Sequence, residues 1–154
     1  MNGQLIFLGT LIAVLAYLGV VDFKTLKIPN QFTIPLILGG LGINLSPWSI
    51  CTFPESLLGA ISGFGILYII NLLARILRYP DSIGMGDAKL LAGLGAVFGY
   101  TSVIPILFLA ALGCLLVHFI RKPKNSLSSI IAFGPYLCCA GIGFSIYQMM
   151  SFRI

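Results

Sequence analysis

Only four acidic residues occur in the 154-residue chain: Asp22, Glu55, Asp81 and Asp87. Asp22 directly follows the apolar run LAYLGVV, and Asp87 heads another in GMGDAKLL. Ionisable groups at membrane depth are costly and are functional candidates by default. Two carboxylates brought close together cannot both ionise easily. They share a proton, leaving one acid and one base near neutral pH. Such a pair activates a water and protonates a leaving amine, which is the acid–base work of peptide hydrolysis. Gly84 and Gly86, on either side of Met85, remove side chains ahead of Asp87. An extended peptide backbone can then come close, and the turn is free to adopt positive φ. Each of these residues also has a structural reading. Asp87 is well placed to be a helix N-cap. Asp22 can end a span and pair with Lys24 or Lys27. The glycines can simply be a loop entering a helix. Catalysis requires the two aspartates to meet at one face.

The elements that would bring them there follow from composition. The chain is 58% hydrophobic and 8% charged, with a mean hydropathy of +1.06. A soluble domain carries about 25% charged residues, and a chain this short cannot bury so much apolar surface in a water-soluble core. A spanning helix takes roughly 20 residues. Six apolar stretches are expected, near 3–21, 31–46, 56–77, 88–99, 102–120 and 130–150, giving an all-α polytopic membrane protein with residues 1–154 as one six-helix domain. The run from Leu5 to Val21 exceeds a signal-peptide core of about 7–15 residues and has no basic n-region, so it reads as a retained first span. Pro47, Trp48 and Pro54 mark an interfacial loop.

Eight of the nine Lys and Arg residues fall in the loops after the first, third and fifth spans. That bias predicts three cytoplasmic loops and both termini on the non-cytoplasmic side. It also puts Asp22 and Asp87 on the same, cytoplasmic, face. Basic residues grouped this way are not a nucleic-acid patch, and no nucleic-acid partner is expected. Glu55 falls in an opposite loop with no evident partner, and Asp81 reads as a solvated loop residue. His118 reads as a boundary residue near Arg121, and Asn71 as a bond between helices. Gly59 with Gly63, and Gly95 with Gly99, have the spacing of closely packed helices. Cys51, Cys114, Cys138 and Cys139 form no CxxC pair and no zinc spacing. The last three read as small buried hydrophobes.

Four segments, in order, carry a resemblance. GMGDAK (84–89) is similar to the GxGD motif of membrane aspartyl peptidases, and with KLLAGLGAVFG it resembles the type IV prepilin peptidase family. Asp22 followed by FKTLKIPN resembles that family's first catalytic aspartate and its Ile-Pro-Asn turn. SLLGAISGFGILYII (56–70) resembles its Gly-rich helix, and AFGPYL (132–137) its phenylalanine-glycine-proline segment. The resemblance implies a bacterial inner-membrane enzyme that cuts the short basic leader from prepilins and pseudopilins at the cytoplasmic face, just before their hydrophobic helix. Asp22 and Asp87 would be the catalytic pair. Gly84, Met85 and Gly86 would shape the motif loop, with Lys89 where the family often has lysine. Neither metal nor other cofactor is implied, and lipid and the prepilin-like substrate are the expected partners. Larger members begin with a cytoplasmic domain bearing paired CxxC motifs and also methylate the new N-terminus. This chain starts at its first span without CxxC, which predicts a peptidase-only form without methyl transfer, as in Flp-type and archaeal preflagellin systems. Ile83 stands where many relatives have methionine. The competing reading is a non-catalytic membrane component, such as a small transporter or an assembly factor, since intramembrane acids also relay protons or hold cations.

Overall fold

The computed structural model describes residues 2–25, 28–77, 84–121 and 133–151. They form α1 (Asn2–Thr25), α2 (Asn30–Leu45), α3 (Phe53–Ile76), α4 (Met85–Phe98), α5 (Tyr100–Arg121) and α6 (Gly134–Ser151), with no strand among the described residues. Each expected span corresponds to one helix. Gly3–Thr25, Phe53–Ile76 and Tyr100–Ile120 are long and apolar enough to cross a membrane. Large apolar side chains such as Ile61, Phe108 and Phe119 face outward, a surface suited to lipid, which removes the penalty water would impose.

Three boundaries differ from expectation. α1 runs past Asp22 to Thr25, because the breaker, Pro29, comes seven residues after Asp22. Lys24 is exposed there, and the Thr25 hydroxyl donates back to the Val21 carbonyl at 2.9 Å. α3 begins at Phe53, because Thr52, Pro54 and Glu55 form a helix start. The Thr52 N–H donates to Glu55 Oε2 at 3.0 Å, a capping-box contact. Glu55 is therefore a helix-start residue with a partner, not an unpartnered loop acid. α4 begins at Met85, with Gly84 as its N-cap, so Asp87 lies within the first turn and is not the cap.

α4 is the axis of the bundle. It packs most extensively on α3, then on α2, and also on α5 and α6. From Asp87 to Phe98 every residue but Lys89 is buried. A helix enclosed by protein on all sides need not have the length or the bulk of a lipid-facing one, and α4 is short and rich in Gly and Ala. Its glycines permit the close approach. A Cβ on Gly59 or on Gly95 would collide with the other's carbonyl oxygen, and one on Gly63 would sit 2.7 Å from the Leu91 oxygen. α1 joins the bundle chiefly through α6. Leu15 of α1 and Leu94 of α4 come together over Gly141, whose Cβ would stand 3.1 and 2.9 Å from them.

One end of the bundle is stitched by polar groups. The Asn44 amide donates to the Ala96 and Val97 carbonyls at 3.0 and 3.1 Å. Its oxygen accepts from the Ile50 and Cys51 N–H groups at 2.8 and 3.1 Å. The Ser56 hydroxyl also donates to Ala96. These bonds satisfy the last carbonyls of α4, which have no partner within the helix. Gly99, at φ 83°, turns the chain directly into α5; an L side chain is strained in that conformation. The Trp48 indole lies over Gly3. The start of α1, the end of α2, the start of α3 and the end of α4 therefore meet here. The end of α1 and the starts of α2, α4 and α6 meet at the opposite end, which holds both candidate aspartates.

Candidate functional site

Asp22 projects inward from the last turn of α1 and Asp87 from the first turn of α4. They are 4% and 7% exposed, where aspartate is rarely found without partners. Each lies within electrostatic reach of the other. Two residues 65 positions apart in sequence thus come to the same end of the bundle. Lys24, the neighbour offered as a partner of Asp22, points outward. Lys27 lies outside the described residues, as do Asp81 and Ile83.

The surroundings of each carboxylate are specific. Asp22 rests against the start of α6. A Cβ on Gly134 would overlap its Oδ2 and stand 2.8 Å from its Cγ, so this position has room only for hydrogen. Asp87 hydrogen-bonds to the backbone of Gly84, and the N-terminal turn of α4 is favourable for a negative charge. Cys138, one turn into α6, is buried and feels the charge of both aspartates. It is a small apolar neighbour of the pair, as a buried thiol usually is. Among the described residues no group of three or more His, Cys, Asp or Glu could hold a metal ion.

The two motif glycines differ in their surroundings. Gly84 has φ −68°, and the one described glycine with positive φ is Gly99 at the far end. The freedom to adopt positive φ is therefore not used at Gly84. A Cβ on Gly84 would lie 3.6 Å from Asp87 Oδ2, an ordinary contact, on an exposed position beside the carboxylate. Gly86 is needed for packing instead, since its Cβ would stand 2.9 Å from Ile28 Cβ. Met85 is 47% exposed at the rim. Lys89 reaches across to α2, its Nζ donating to Asn30 Oδ1 at 2.8 Å.

Other candidates lie elsewhere. Glu55 is at the opposite end of the bundle, and His118 is exposed on α5. Asn71 is buried in α3. Four residues around the pair were not among the expected site residues: Ile28, Asn30 and Gly134 entered only as parts of motif segments, and Cys138 only as a small buried hydrophobe. Glycine preceding proline at the start of an apolar run was a legible signal for a helix start at 134. For Cys138 the sequence held none.

Residues 9–120 match the type IV leader peptidase family. The chain is 36% identical over 126 residues to leader peptidase HopD of Escherichia coli, covering 78% of this chain and 79% of that protein. It is 33% identical over 134 residues to the prepilin leader peptidase/N-methyltransferase of Pectobacterium carotovorum subsp. carotovorum, covering 86% and 48%. The protein of that name from Dickeya chrysanthemi is 32% identical over 141 residues, covering 90% and 48%. The chain thus spans about half the length of these longer relatives. No solved structure matches it. The order of the motifs and a match over most of the sequence agree: this chain belongs to the type IV leader peptidase family.

Proposed function

We propose that the chain is an aspartyl endopeptidase that removes leader peptides from prepilin-like or pseudopilin-like substrates, with Asp22 and Asp87 as its acid–base pair. The observation that supports this best is the burial of both carboxylates, from different helices, within each other's field. One carboxyl holds a proton and the other is ionised. The ionised group takes a proton from water as the water oxygen attacks the scissile carbonyl carbon, and the protonated group gives its proton to the carbonyl oxygen. Proton transfer to the amide nitrogen then lets the C–N bond break. The leader leaves with a new carboxyl terminus and the mature protein with a new amine.

The pair lies at helix ends on a bundle whose flanks are apolar. A substrate whose hydrophobic helix stays in lipid, with a short basic leader in water, would present its junction at that level. The exposed Gly84 and Met85 offer the way in. The basic groups at this end, Lys24 and Lys89 among them, support a site on the cytoplasmic side of the inner membrane under the positive-inside rule. Co-expression with a panel of candidate prepilin-like proteins tests the proposal. Cleavage appears as a size shift on a gel. If the protein reaches the membrane and no member of the panel shifts, the reading fails and a non-catalytic membrane component takes its place.

A further inference from the structure

The two aspartates belong to helices that meet mainly through a third. α1 reaches the bundle chiefly through α6, and α4 carries Asp87. Something must therefore set the placement of the α4 and α6 starts relative to one another. The segment between α1 and α2 supplies it. Ile28 is half-buried and packs against the core. It faces a glycine on each helix: Gly86 of α4, whose Cβ would stand 2.9 Å from Ile28 Cβ, and Gly134 of α6, whose Cβ would stand 3.0 Å from Ile28 Cδ1. Gly134 is also the residue on which the Asp22 carboxylate rests. One side chain thus touches both helix starts that frame the pair. Pro29, the N-cap of α2, is itself extended at φ −66° and ψ 133°, and the Lys89–Asn30 hydrogen bond of 2.8 Å ties the segment to α4 a second time.

We propose that Ile28 is a positioning residue for the aspartate pair, a wedge seated between Gly86 and Gly134 that fixes the starts of α4 and α6, and with them Asp87 and Asp22. This rests on the peptidase reading above. Ile28 has no acid or base to offer; it acts through the placement of the two carboxylates. A misplacement near 1 Å costs on the order of 10²-fold in rate. The loss should appear in kcat, because the geometry of the pair matters in the transition state and not in ground-state binding.

The test uses the full chain in lipid nanodiscs with a cleavable prepilin-like substrate. Ile28→Val keeps the Cβ against Gly86 and loses only the Cδ1 that reaches Gly134; its kcat falls, but by less than that of Ile28→Ala. Ile28→Ala removes the γ carbons as well as Cδ1, and kcat falls roughly 10- to 100-fold with KM within about threefold. Gly86→Ala lowers kcat by overlap with Ile28 Cβ, and adding Ile28→Gly to it recovers part of the loss. Unchanged kcat in Ile28→Ala overturns the proposal. So does a rise in KM alone, which would make Ile28 part of the substrate-binding wall. A double variant no better than Gly86→Ala also overturns it. Should the Gly86 variants fail to fold, the Val and Ala pair decides alone, since both remove volume. Asp22→Asn and Asp87→Asn serve as references. If they also cleave, the two-aspartate reading has failed; if they are inactive while Ile28→Ala is fully active, only the wedge has failed.

Discussion

Gly134→Ala puts one methyl where the Asp22 carboxylate now lies, and the size of the effect follows from the contacts. The new Cβ would stand 2.8 Å from Asp22 Cγ, where ordinary contact begins at 3.4 Å. The carboxylate must retreat by at least roughly 0.6 Å, and by more at Oδ2, which lies nearer still, or α6 must. Twisting the aspartate about 30° off its rotamer costs about 0.5–1.5 kcal/mol, which a folded bundle tolerates. Catalysis is less tolerant, because displacements of this order cost about 10- to 100-fold. The assay is single-turnover cleavage of a prepilin-like substrate by purified protein, alongside thermal denaturation in the same detergent. Gly143→Ala is the control on the same helix, with nothing within 4 Å of its Cβ. The expected result is a folded Gly134→Ala protein with a strongly reduced cleavage rate and a Gly143→Ala protein like the parent. Wild-type cleavage by Gly134→Ala would refute the argument that this glycine seats Asp22.

Gly59→Ala should force α3 and α4 apart, since its Cβ collides with the Gly95 carbonyl. A loss of about 1–3 kcal/mol or more in denaturation measurements is expected, whereas Gly65→Ala, with open space at its Cβ, should stay within about 0.5 kcal/mol. Asn44→Ala removes four hydrogen bonds at the far end and should lower stability by on the order of 3 kcal/mol. Asn44→Asp should not restore it, because a carboxylate cannot donate to the Ala96 and Val97 carbonyls. Gly84→Ala fits without overlap; it should leave the melting temperature unchanged and raise KM by crowding the exposed approach to Asp87.

Which residues would meet was legible from charge alternation: the basic loops and the span count put Asp22 and Asp87 on one face, and the bundle places them together. The helix-start chemistry at Thr52 and Glu55 was also written in the sequence, as a Thr-x-x-Glu box with Pro54, but an acid in a loop between apolar runs drew attention to its lack of a partner. Helix ends were less legible. Asp22 and Lys24 are charged but none of residues 22–25 is a breaker, so hydropathy ends α1 early while the backbone continues. The reasons for the glycines were least legible of all. Whether Gly86 frees a torsion or admits a neighbour depends on what lies opposite, and Ile28 is 58 positions away in sequence. Gly134 presents the same difficulty: its partner is the side chain of Asp22, which no local pattern around AFGPYL names.

The central claim is that two buried aspartates cut the peptide bond together. Its most direct test is the cleavage of a prepilin-like substrate by Asp22→Asn and by Asp87→Asn, each shown to be folded and in the membrane. Each substitution keeps the shape of the side chain and removes its acid–base function. The account predicts that either one alone lowers cleavage by roughly 10³-fold, to the limit of a gel assay. Substantial cleavage by either variant would contradict it.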